Sequence, residues 1–117
     1  MKRQIEIGFL EPLLGSVNAE RVLIYILTRE EGYARAIARF FGADPDSIHK
    51  QLVKLEAGGV LISKEMGRTV VYKFNPRYAF LPELKQLLDR ALEFYPAEER
   101  ERLLLSRRRP RRRGKPS

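Results

Sequence analysis

The chain has 117 residues, a length that suits one small domain and not two. It contains no cysteine, which excludes disulfides, thiolate nucleophiles and thiolate metal sites, and its formal net charge is +8. The longest apolar run, Val22 to Leu27, is six residues, far short of the about 20 needed to span a bilayer. Glu6 interrupts the segment where a secretory signal would be apolar, so a cytoplasmic protein is expected.

In chain order, Pro12 and Gly15 bracket an expected helical turn over Phe9 to Leu14. Ser16 or Asn18 is expected to cap a helix over Ala19 to Arg29, because a short side-chain oxygen accepts an orphan N–H of the first turn. Val22, Leu23, Ile26 and Leu27 form its core stripe. Ile24 and Tyr25 are apolar as well, so this helix is expected to be buried on more than one side. Gly32 ends the element, and Tyr33-Ala34 reads as a short extended entry to a helix that faces Ile37, Ala38 and Phe41 inward.

Gly42-Ala43 makes a tight turn. Asp44 is then the expected N-cap of a second helix with Pro45 at its first position, where a fixed φ and a missing N–H cost nothing. Ile48, Leu52 and Leu55 recur at helical spacing and face the core, and Gly58-Gly59 stops the helix. Val60 to Ser63 reads as a strand, Lys64 to Arg68 as a turn, and Thr69 to Phe74 as the return strand. Alternation puts Val70, Tyr72 and Phe74 on one face and Thr69, Val71 and Lys73 on the other.

After Asn75-Pro76 a long helix is expected from near Phe80. Leu81, Leu84, Leu87, Leu88, Ala91, Leu92 and Tyr95 form its stripe, and Pro96 ends it. Glu98 to Leu105 reads as a last amphipathic turn or two. Three regions follow: residues 1–95 as the folded domain, 96–105 as a short helical extension, and the arginine-rich 106–117 as a disordered tail.

The net charge is unevenly placed. The segment 106–117 holds seven Lys or Arg and no acid, whereas the other 105 residues carry 16 bases and 15 acids. High pI is thus a property of the tail. Within the body, residues 35–77 carry eight bases against four acids, a local positive footprint. Two helices around a glycine turn form a helix-turn-helix, a device that lays a helix in the DNA major groove, and the hairpin adds a second contact.

The expected fold is therefore mainly α with a small β-hairpin (α+β), a winged helix-turn-helix with a C-terminal dimerisation helix. The candidate DNA-binding residues are Ser47, His49, Lys50, Gln51 and Lys54 on the second helix, with Lys64 and Arg68 on the hairpin. Asp46 on the same face would repel phosphate. Arg68, behind Gly67, is placed to enter a minor groove. The leucine stripe offers Leu81, Leu84, Leu88, Leu92 and Tyr95 as a seam for homodimerisation. The tail reads as a sequence-neutral phosphate binder.

No catalytic, metal or cofactor site is expected. His49 stands two residues from Ser47 on one helix, so the two side chains diverge and cannot form a nucleophile–base pair. A single histidine without a second ligand is no zinc site.

Residues 44–76 resemble the winged helix-turn-helix of the ArsR-like transcriptional regulators of bacteria and archaea. DPDSIHKQLVKLEAGGVL is similar to the family's recognition helix with its closing turn, GRTVVYKFNP to its wing, and LLGSVNAERVLIYIL to its first core helix. The resemblance covers about residues 10–95. It implies a sequence-specific binder of double-stranded DNA, a homodimeric repressor associated with the nucleoid. The family's metal-sensing branch is not implied, since it uses Cys, His and carboxylate ligands. An alternative is an antitoxin or adaptor that neutralises a partner enzyme encoded nearby, for example a nucleotidyltransferase toxin, while repressing its own operon.

Overall fold

The computed structural model describes residues 8–108. Within them the chain forms α1 (Glu11–Leu14), α2 (Val17–Arg29), α3 (Ala34–Phe41), α4 (Pro45–Ala57), β1 (Leu61–Met66), β2 (Thr69–Phe74), α5 (Leu81–Leu92) and α6 (Ala97–Arg108). The fold is mainly α with one antiparallel hairpin, in the order of a winged helix-turn-helix. The tail expected to be disordered lies from residue 109 outside the described residues. Its first residues, 106–108, continue α6. No helix among the described residues is long and apolar enough to cross a membrane.

Helix α2 is the centre of the molecule. It starts at Val17, earlier than expected, because the Ser16 Oγ accepts the Ala19 N–H at 3.1 Å. Val22, Leu23, Ile24 and Ile26 are fully buried and Tyr25 nearly so. Ile37 of α3, Ile48 and Leu52 of α4, Leu61 of β1, Leu88 and Leu92 of α5 and Leu103 of α6 complete one core.

Two turns shape the DNA-reading candidates. Gly42, at φ 67°, closes α3 in the left-handed region that glycine adopts without strain. Asp44 then caps α4, its Oδ2 accepting both the Ser47 N–H and the Ser47 hydroxyl at 3.0 Å. The hairpin differs from expectation: β1 runs to Met66, so Lys64 and Glu65 are strand residues paired with Val71 and Val70. A two-residue turn suffices because Gly67, at φ 68°, supplies the positive φ of a type II′ hairpin and Arg68 needs none.

A third strand is reduced to one residue. Gly32 exchanges both backbone hydrogen bonds with Tyr72 (3.0 and 2.7 Å), so β2 is flanked on both sides at that point. A Cβ at Gly32 would stand 2.9 Å from the Tyr25 ring, a distance no real side chain keeps. The expected extended entry is thus found one residue earlier than Tyr33-Ala34: Tyr33 is the extended N-cap of α3 and Ala34 is already helical.

The C-terminal part departs most from expectation. Helix α5 stops at Leu92, and the chain turns through Tyr95 before Pro96 opens α6. Helix α6 is a full helix instead of a turn or two, with Leu103 completely buried. Arg29 secures it by donating from Nε to the Leu103 carbonyl (3.4 Å) and from Nη2 to the Arg102 carbonyl (3.2 Å). Arg102 in turn lies 4.2 Å over the Phe40 ring and donates to the Phe40 carbonyl at 3.2 Å.

Beneath this junction sits a buried carboxylate. Glu20 is fully enclosed; its Oε1 accepts the Leu10 N–H (2.8 Å) and its Oε2 the Tyr95 hydroxyl (2.7 Å). Burial, reinforced by that bond to Glu20, pushes the Tyr95 phenol far above its ordinary range, so it stays protonated as the donor. Arg21 beside it is lowered by burial, against the pull of Tyr95, Glu20 and Glu99.

Candidate functional site

The outward side of α4 is polar because its apolar positions are spent on the core: Ile48 and Leu52 are fully buried and Leu55 half-buried. His49, Lys50 and Lys54 are exposed, and Gln51 is half-buried. Ser47 is half-buried with its hydroxyl committed to Asp44, so its main role is in the cap. Val53 stands exposed at helical spacing from His49 and Lys50, an apolar group on a polar face. Sequence reasoning overlooked it, although its phase, out of step with Ile48, Leu52 and Leu55, was visible.

A groove of about 480 Å³ runs between the start of α3, the side of α4 and the hairpin tip. Arg35, His49 and Arg68 line it from those three elements, with Tyr33, Thr69 and Tyr72 between them. No carboxylate lines it. Burial, with a smaller push from Glu56, raises the Tyr72 phenol above its ordinary value, so this wall stays neutral. Arg35 was counted in the positive footprint but not picked as a site residue. Nothing in the linear sequence says that α3 begins beside the hairpin; the Gly32–Tyr72 pair puts it there.

Lys64 separates from the rest. In the observed register it pairs with Val71, on the face shared with Ile62, Met66 and Lys73, whereas Ser63 and Tyr72 face the helices. Ser63 Oγ donates to Glu56 Oε2 of α4 at 2.7 Å, which fixes that inner side. The structure therefore brings His49 and Arg68 together and leaves Lys64 on the far side of the hairpin.

The expected dimer seam is corrected. Leu88, Leu92 and Tyr95 are buried within the single chain and Leu81 and Leu84 are half-buried, because α5 packs this stripe on α2 and α6 closes its end. Among the apolar groups left exposed are Leu87, Phe94 (60% exposed) and Phe9 (47% exposed), the last two with rings 6.2 Å apart. Arg90 and Glu93, exposed beside them, form a pair at 3.3 Å.

Helix-turn-helix, capped second helix and antiparallel hairpin define the class of arrangement: a winged helix. No family model matches the chain, and no curated protein or solved structure is detectably similar to it.

Proposed function

We propose that this protein binds double-stranded DNA sequence-specifically as a homodimeric transcriptional repressor of the ArsR-like winged helix type. The observation that carries the reading is the outward face of α4, where His49, Lys50, Val53 and Lys54 are exposed, His49 sharing a groove with the wing residue Arg68. Lysine donates to guanine or phosphate, histidine to base edges or phosphate, and a valine methyl suits the thymine methyl. In this reading α4 enters the major groove and the wing holds the flanking backbone. The second copy is assigned to the surface of Phe9, Leu87 and Phe94, where Arg90 and Glu93 offer charges that a two-fold axis would match.

The test is selection of bound fragments from a random duplex pool. The expected result is a near-palindrome with half-sites about 10 base pairs apart, or a multiple of that. A pool that shows no enrichment over repeated rounds overturns the reading. Sequencing enrichment followed by sedimentation of the complex separates a two-fold binder from a single-copy one.

A further inference from the structure

The groove between α3, α4 and the wing holds positive groups that α4 does not need for reading bases. Arg35 and Arg68 are both exposed, and the ion pairs among the described residues join Arg90 to Glu93 and Arg102 to Glu99, so neither guanidinium is neutralised by a carboxylate. His49 lies on the same lining. Two guanidinium groups from separate elements line one recess beside the His49 imidazole, a local positive potential that favours an anion. Lys50, Val53 and Lys54 do not line this recess, so the two surfaces address different parts of a ligand.

The groove wall adds donors of its own. Tyr33 occupies the N-cap of α3 with no side-chain cap, and Ile37 is the first residue of the helix to bond back, to the Tyr33 carbonyl at 3.0 Å. The preceding N–H groups of that first turn thus have no partner within the helix, and Tyr33 and Thr69 also line the groove. A volume of about 480 Å³, open to solvent, admits a phosphate with its adjoining sugars.

Resting on the DNA-binding reading above, we propose that this groove seats one backbone phosphate of duplex DNA, held jointly by Arg35, His49 and Arg68. The proposal divides the interface. Arg35, His49 and Arg68 fix where the duplex lies, and Lys50, Val53 and Lys54 read it. A phosphate held at one point beside the first turn of α3 sets the register of α4 in the major groove, as backbone contacts orient without carrying sequence.

The experiment compares the full chain with Arg35→Gln, Arg68→Gln and the double variant. Both positions are exposed and lie outside the core, and circular dichroism confirms that each variant folds. Binding is titrated with salt on two probes, the selected duplex and a mixed-sequence duplex of equal length. Each single variant is expected to weaken both probes by the same factor and to make the slope of log K against log salt shallower by at most about 0.9. Because both arginines hold the same phosphate, the double variant is expected to lose about 0.9 in total and not twice that.

A double variant that loses about 1.8 overturns the shared seat in favour of two separate phosphates. An unchanged slope in the double variant overturns the seat outright, and an affinity loss confined to the selected duplex makes Arg35 a base reader instead. A parent that binds neither duplex overturns the DNA reading itself, which distinguishes that failure from failure of the seat.

Discussion

The two halves of the molecule are held together by different kinds of contact. From α3 to β2 most turns close on their own neighbours: Gly42 on α3, Asp44 on Ser47, Gly67 within the hairpin. The C-terminal half is placed by partners far away in the chain. Tyr95 reaches Glu20 across 75 positions, Arg29 reaches the Leu103 carbonyl across 74, and Arg102 reaches Phe40 across 62. Local closure leaves the outer faces of α4 and the wing free for a ligand. Distant closure spends the apolar stripe of α5 inside the protein. Stiffness and availability for binding are thus allotted to different parts of one small domain.

The sharpest way to break this comparison is to charge the buried stripe of α5 and, separately, the exposed turn that follows it. Leu88→Glu places a carboxylate among Leu23, Ile26 and their neighbours with no partner, and is expected to cost more than about 4 kcal/mol, most of a small domain's stability. The variant should show no cooperative urea transition. Phe94→Glu, on the exposed side, should keep the parent's transition midpoint and shift sedimentation from dimer to monomer. A folded, monomeric Leu88→Glu would show that the stripe faces a second copy after all.

The long-range half is sharpened by Tyr95→Phe. Removing the hydroxyl leaves the Glu20 Oε2 buried without its donor, at an expected cost of about 1–3 kcal/mol, read from urea unfolding at neutral pH. The phenol is raised in the folded state, so the stability linked to its protonation is complete below the unfolded tyrosine value of about 10. It is lost as pH rises from there toward the folded value. The parent should therefore weaken more steeply than Tyr95→Phe between about pH 10 and 11, and parallel curves would refute the link.

The local half should yield less. Asp44→Ala removes the acceptor of the Ser47 N–H and is expected to cost about 0.5–2 kcal/mol by thermal unfolding. The loss belongs to the first turn of α4, so amide exchange should quicken there and stay unchanged at Leu103. Equal quickening at both places would mean that the halves do not differ as described.

Which features the sequence disclosed follows from the same contrast. Asp44-Pro45, Gly42 and the i, i+4, i+7 positions of α4 act within a few residues, so the helix-turn-helix and the inward set Ile48, Leu52 and Leu55 could be read directly. Gly67 marked the hairpin, yet the length of β1 depended on pairing, and Lys64 was placed in a turn when cross-strand register puts it on the outer face. The stripe from Leu81 to Tyr95 foretold the burial of Leu88, Ala91, Leu92 and Tyr95, while Leu87 stays exposed, and a stripe does not name what buries it. Glu20 shows the limit most plainly: an acid in the first turn of a helix reads as solvated, and only the fold brings Leu10 and Tyr95 to it. The candidate surface was legible on α4, whereas Arg35 needed the third dimension.

Gly32 has a consequence for how this chain can vary in length. Its backbone is locked to Tyr72 and any side chain on it would collide with the Tyr25 ring, so the span from Arg29 to Ala34 is set like a gauge block between α2 and the wing. An insertion there would push the wing root off the helices and disturb every element that meets α2. At Gly67-Arg68 nothing crowds the turn, and extra residues would lengthen the wing without moving its base. Reach at the tip is adjustable in this architecture, and the angle at the root is not.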